Sequence, residues 1–119
     1  MKKSNKTSEY MRRSARVLPI AILSSQKQCM VVGGGYVAEK KIRLLLESNC
    51  KVIVIAPDIS PDIKAIRNQN LKIIEKNFDE SDITQDITLV FAATNNYHVN
   101  QSIIALCKKK RIFCCCSDK

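Results

Sequence analysis

The chain has 119 residues, of which 45% are hydrophobic, and its formal net charge at pH 7 is +9. This length suits one domain with a modest core and is small for a complete two-substrate enzyme. No apolar run approaches the roughly 18 residues that a membrane-spanning helix needs, and the basic N-terminus lacks the apolar region of a secretory signal. We therefore expect a cytoplasmic protein with no membrane association.

Residues 1–16 form a basic, polar segment that we expect to be disordered. Six Lys and Arg residues against Glu9 give it a net charge of +5, more than half of the excess of the whole chain. Solvated side chains are the simpler explanation, and attraction of a polyanionic small molecule is the functional one. Because so much of the charge lies in a tail, the distribution argues against a dedicated nucleic-acid-binding groove.

The folded part is expected over residues 17–119. It opens with an apolar extended segment, residues 18–23, in which Pro19 disfavours a helix and suits the edge of a sheet. Residues 29–32 then form a short apolar strand that ends in glycine. A helix follows without a gap, with apolar positions along one face at Ala38, Ile42 and Leu45.

Three glycines join that strand to that helix, namely Gly33, Gly34 and Gly35. With Ala38 in the small-residue place, they match the pattern G-x-G-x-x-G/A. Glycine lets the backbone approach a pyrophosphate, and the start of a helix favours its negative charge. The motif predicts a dinucleotide site, and the alternative is a tight turn in any α/β protein.

The rest of the chain alternates strands and helices. The predicted strands are Lys51–Ala56, Leu71–Glu75, 87–93 and 112–116, and the predicted helices are 61–68, capped by Ser60, and Tyr97–Lys110. Residues 77–86 form a polar connection with one helical turn. Continuously apolar strands in such an alternation predict an α/β fold, a Rossmann-like, doubly wound parallel sheet of five strands in order 3-2-1-4-5.

The carboxyl ends of parallel strands share one edge of the sheet, where such folds bind ligands. Four segments follow strands at this edge: the glycine turn, Pro57 with Asp58, Thr94 with Asn95, and Ser117 with Asp118. We expect them to converge on one crevice, which makes Thr94 and Asn95 candidate cofactor contacts.

The six cysteines include no C-x-x-C pair, so we expect reduced core thiols rather than disulfides. Cys114, Cys115 and Cys116 are adjacent in a strand, and successive side chains point to opposite faces. They cannot all ligate one ion, and we predict no metal site. His98, the only histidine, is interpreted as solvent-facing.

Four stretches carry a resemblance to a known family: LPI, VVGGGYVAEKKIRLLLES, FAATNN with VNQ after it, and RIFC ahead of Asp118. Together they resemble the N-terminal domain of siroheme synthase, of the precorrin-2 dehydrogenase and sirohydrochlorin ferrochelatase family. The resemblance implies NAD-dependent oxidation of precorrin-2 to sirohydrochlorin, with insertion of Fe²⁺ as a second reaction. It also implies a polyanionic tetrapyrrole substrate and a homodimer.

By the same resemblance, Tyr36 and Val37 lie where the family's glycine loop meets the cofactor, and Pro57 and Asp58 match its contacts after the second strand. Asp118 matches the aspartate with the central role in the chemistry. A carboxylate there can accept the proton lost as hydride leaves for the nicotinamide.

The sequence also departs from the family. The Asn-Val-Val that precedes the aspartate is replaced by Cys115, Cys116 and Ser117, and the acidic turn after the fourth strand is Thr94-Asn95-Asn96. The sequence stops at Lys119, whereas the family continues into a dimerisation region and a helical domain. A non-catalytic NAD(H)-binding or regulatory module and a degenerate remnant are therefore the alternatives to an enzyme.

Overall fold

The computed structural model describes residues 18–116. Five parallel strands form one sheet in the order β3-β2-β1-β4-β5, which confirms the predicted order. The strands are β1 (Gln28–Val32), β2 (Lys51–Ala56), β3 (Leu71–Glu75), β4 (Leu89–Ala92) and β5 (Phe113–Cys116).

The helices are α1 (Tyr36–Glu47), α2 (Pro61–Lys64) and α3 (Tyr97–Lys110), and a 3-10 turn spans Glu80–Asp82. Ser48 is the C-cap of helix α1, and Asn49 follows in the left-handed region with a φ of 62°. In α2 the Ser60 side chain caps the start, as predicted, by accepting a hydrogen bond from the Ile63 backbone.

Apolar residues on both faces of the sheet explain why helices cover both. On one face the buried α1 residues Ala38, Ile42 and Leu45 pack over β1 and β2. On the other face Ile103 and Cys107 of α3 pack against Met30, Val32 and Val90. Buried apolar surface of this kind stabilises a fold by roughly 25 cal/mol per Å².

Some predicted boundaries were wrong by a few residues because the chain turns there. Helix α2 is shorter than the predicted 61–68, since the Ile66 amide already bonds to the Ile63 carbonyl and tightens the last turn. Strand β4 begins after residue 87, whose amide bonds back to Thr84, and β5 begins after Ile112, whose amide bonds to Cys107.

The segment of residues 18–23 belongs to no strand and lies outside the sheet, with Leu18 80% and Leu23 89% exposed. The predicted basic tail, residues 1–16, lies outside the described residues and stays a prediction. Within residues 18–116, no helix combines the length and the apolar character needed to cross a bilayer.

Candidate functional site

A cleft of about 1660 Å³ lies at the carboxyl edge of the sheet. It opens where β1 and β4 are neighbours, because the helices that follow these two strands pack on opposite faces. Nine of the predicted cofactor-site residues line it: Gly33, Gly34, Gly35, Tyr36, Val37, Pro57, Asp58, Thr94 and Asn95. The tenth site residue, Asp118, lies outside the described residues, and Cys116 of β5 lines the cleft two positions before it.

The three glycines of the turn have different physical roles. A Cβ on Gly33 would lie 2.3 Å from the Ala93 carbonyl oxygen, and the φ of Gly33 is +142°. A Cβ on Gly34 would lie 2.0 Å from the carbonyl oxygen of Asp58. The fold itself therefore requires glycine at both positions. A Cβ on Gly35 would meet nothing within 4 Å, so the space beside Gly35 is open and its backbone is accessible from the cleft.

Helix α1 begins at this accessible glycine. Gly35 is its N-cap, and no side chain in the described part of the chain caps it. The first amides of a helix have no partners within the helix, and its dipole adds positive potential there. Ala38, one turn further on, is fully buried and lets the helix lie close to the sheet. This end of the cleft therefore offers open space and unpartnered backbone amides, the features that favour an anion at a helix start.

Hydrogen bonds hold the segment after β2 against the glycine turn and against the end of β3. The Ser60 amide donates to the Gly34 carbonyl at 2.9 Å, and the Ile59 amide donates to Glu75 Oε2 at 3.2 Å. The bond from Ile59, together with Lys64, lowers the pKa of Glu75, which keeps this acceptor charged. Asp58 is thereby held exposed at the rim of the cleft, while Ala56 before it is buried.

The turn after β4 depends on Asn100, which the sequence analysis did not single out. Asn100 is 6% exposed, and its Oδ1 accepts bonds from the Thr94 amide at 3.2 Å and from Thr94 Oγ1 at 2.6 Å. Its Nδ2 donates to the Thr94 carbonyl at 3.0 Å. The sequence held one signal for this role, because Asn100 is a polar residue on the buried face of a helix, three positions before Ile103.

Replacing Asn100 with alanine is expected to reduce the free energy of unfolding by about 1–3 kcal/mol, because the Thr94 amide and carbonyl lose their partner. NAD binding should weaken as well, since the turn that carries Thr94 and Asn95 is no longer held. Urea denaturation and calorimetric titration measure the two effects. The exposed Gln85 provides the control, and Gln85→Ala should change both by little. Equal stability of the two variants would contradict this role of Asn100.

The cysteines alternate across β5 as predicted. Cys114 and Cys116 pack on the α3 side of the sheet, whereas Cys115 is exposed on the α1 side, so its assignment to the core was wrong. Burial raises the pKa of Cys29 and of Cys114 to about 12, which keeps these thiols protonated near neutral pH. No group of three metal-ligating side chains converges anywhere in residues 18–116.

The charged side chains of the cleft are few. Among its described lining residues, Lys40 and Lys41 of α1 are the basic ones and Asp58 is the acidic one. His98 is exposed beside Tyr97 and is not among the lining residues.

A five-stranded parallel sheet with a glycine turn and an open helix start at its carboxyl edge defines a Rossmann-like dinucleotide-binding domain. Comparison with known families agrees with this class. Residues 20–119 match the family NAD_binding_7, described as "Putative NAD(P)-binding", and the chain belongs to that family.

Curated relatives give a narrower similarity. The chain is 37% identical over 98 residues to siroheme synthase 2 of Pectobacterium atrosepticum, covering 82% of this chain and 21% of that protein. It is 37% identical over 97 residues to siroheme synthase of Nitrosomonas europaea, covering 80% and 20%. The chain thus spans about a fifth of the length of the curated relatives it matches.

A solved structure shares the fold. SirC, a precorrin-2 dehydrogenase, superposes with a TM-score of 0.61 at 23% identity, covering 82% of this chain and 48% of SirC. At this level of identity the match extends to the architecture of the sheet and its helices.

Proposed function

We propose that this chain acts in the NAD-dependent oxidation of precorrin-2 to sirohydrochlorin. The observation that carries the proposal is the cleft, because the glycine turn and the segments after β2 and β4 line it together at the edge where Rossmann-like sheets bind ligands. The similarity to siroheme synthases over most of the chain supports the choice of substrate.

In this proposal the dinucleotide pyrophosphate binds at Gly35 and the first amides of α1, with Tyr36 and Val37 beside it. Pro57 and Asp58 contact the adenosine half, and Thr94 and Asn95 contact the nicotinamide half. NAD supplies a hydride acceptor when it is bound. Asp118 accepts the proton that the tetrapyrrole loses together with the hydride, so the substrate loses two electrons and two hydrogens in all.

The direct test supplies precorrin-2 and NAD to the protein and follows sirohydrochlorin and NADH by their absorbance. The proposal expects the two products to form in equal amounts. NAD binding without turnover would favour the non-catalytic NAD(H)-binding or regulatory module. A chain that neither binds NAD nor turns over precorrin-2 would fit the degenerate remnant.

We expect a preference for NAD over NADP, with modest affinity. The residue at the end of β2, where such folds place an acid for the ribose, is the buried Ala56, and Asp58 follows two residues later. No Lys or Arg of the described β2–α2 segment lines the cleft to receive a 2′-phosphate. Calorimetric titration with both cofactors measures the preference, and equal or tighter binding of NADP would contradict it.

The second activity implied by the resemblance is insertion of Fe²⁺ into sirohydrochlorin, with iron as a substrate. We propose it as an extension of the dehydrogenase function, and it has less support, since no group of three ligands converges among the described residues. Formation of siroheme from sirohydrochlorin and Fe²⁺ tests it. The proposed homodimer is tested separately by sedimentation velocity.

A further inference from the structure

Lys41 occupies a particular place in the cleft. It lies in the second turn of α1, is partly buried, and holds its Nζ 5.5 Å from the centroid of the Phe91 ring on β4. Partial desolvation of the Cys115 thiol on β5 raises its pKa, and the charge of Lys41 opposes that rise, so the amine also lies near β5. The positive charge is therefore on the β4–β5 half of the cleft, away from Asp58 after β2.

This charge has no acidic partner among residues 18–116. The ion pairs there join Arg43 to Glu39 at 3.0 Å, Lys64 to Glu75 at 3.2 Å, and Lys76 to Asp82 at 2.7 Å. Glu39, the acid nearest to Lys41 in the sequence, is thus already engaged by Arg43. An ammonium group that is partly withdrawn from water, over an aromatic face and without an acid, favours an anionic ligand.

The dinucleotide phosphates do not explain this position. In the proposed function they bind at Gly35, where the accessible backbone and the start of α1 lie. Lys41 is about 7.5 Å further along the helix axis than the first helical residue. Its amine points over β4 and toward β5, the strand that leads directly to Asp118.

We propose that Lys41 binds a carboxylate of the tetrapyrrole substrate and so positions the ring system on the β4–β5 half of the cleft. This inference rests on the proposed function, and it adds a specific anion subsite to it. The lysine ammonium is a point charge with three hydrogen-bond donors, so it can bind a carboxylate in several orientations rather than in one fixed plane.

The test compares binding of sirohydrochlorin, followed by fluorescence, with binding of NAD, followed by calorimetry. Lys41→Gln should weaken sirohydrochlorin binding about tenfold, as expected for loss of one charge-assisted hydrogen bond, and leave the Kd of NAD within about twofold. Lys41→Arg should restore most of the loss. Lys72→Gln on β3 removes the same charge outside the cleft and should change neither Kd.

The outcomes separate this inference from the proposed function. If the wild-type protein binds sirohydrochlorin and Lys41→Gln binds it equally well, the subsite is refuted and the proposed function stands. If Lys41→Gln weakens NAD as much as sirohydrochlorin, Lys41 contacts the cofactor and the inference is wrong. If the wild-type protein binds NAD but not sirohydrochlorin, the proposed function fails, and the subsite fails with it.

Discussion

Gly35→Val is expected to weaken NAD binding by roughly 100-fold or more while the fold is retained. The side chain would enter the open space beside the start of α1 and keep the pyrophosphate away from the backbone amides. Loss of two charge-assisted hydrogen bonds accounts for an effect of this size. Gly35 has a φ of −104°, which other residues adopt freely, so the fold should lose only about 1 kcal/mol at the N-cap.

Gly34→Ala is the informative comparison. Its methyl group would lie 2.0 Å from the Asp58 carbonyl oxygen, so this smaller substitution should lower the Tm clearly, whereas Gly35→Val should not. Far-UV circular dichroism and thermal denaturation measure stability, and calorimetry measures NAD binding. If Gly35→Val bound NAD as tightly as the wild type, the pyrophosphate would have to lie elsewhere.

Asp118→Asn is expected to reduce turnover of precorrin-2 by about 100 to 10,000-fold, the usual cost of losing a general base. The Kd of NAD should stay within about twofold, because the proposed role of this carboxylate is toward the substrate. Steady-state kinetics with saturating NAD measure the first quantity, and calorimetry measures the second.

The exposed Asp62 of α2 provides the matched control for that experiment, and Asp62→Asn should leave both quantities unchanged. A fall in NAD affinity equal to the fall in turnover would place Asp118 against the cofactor. Wild-type activity in Asp118→Asn would refute its role as the base.

Much of the fold could be predicted because its signals are local. The apolar runs 29–32 and Lys51–Ala56, the glycine turn and the alternation of elements predict a parallel sheet, and the preference for right-handed crossovers limits its strand order. The same logic predicted seven residues that line the cleft, because each follows a strand at one edge, and the family resemblance added Tyr36 and Val37. The seven are Gly33, Gly34, Gly35, Pro57, Asp58, Thr94 and Asn95.

Predictions failed where a local pattern had more than one physical outcome. Residues 18–23 are apolar and suit the edge of a sheet by their local pattern, but they pair with no strand and lie outside the sheet. The residues after Lys64 are compatible with a helix, but the bond from Ile66 to Ile63 ends it early.

The sequence by itself determined the class of fold, the edge of the sheet at which the candidate site lies and the presence of a dinucleotide motif, because strand periodicity and glycine turns act over a few neighbouring residues. Only the tertiary structure decided which glycine has open space beside it, that Asn100 holds Thr94, and that Lys41 lies over Phe91. Each of these depends on a contact between elements distant in the chain. Such contacts are decided by the packing of α1 and α3 on the sheet, which no local pattern encodes.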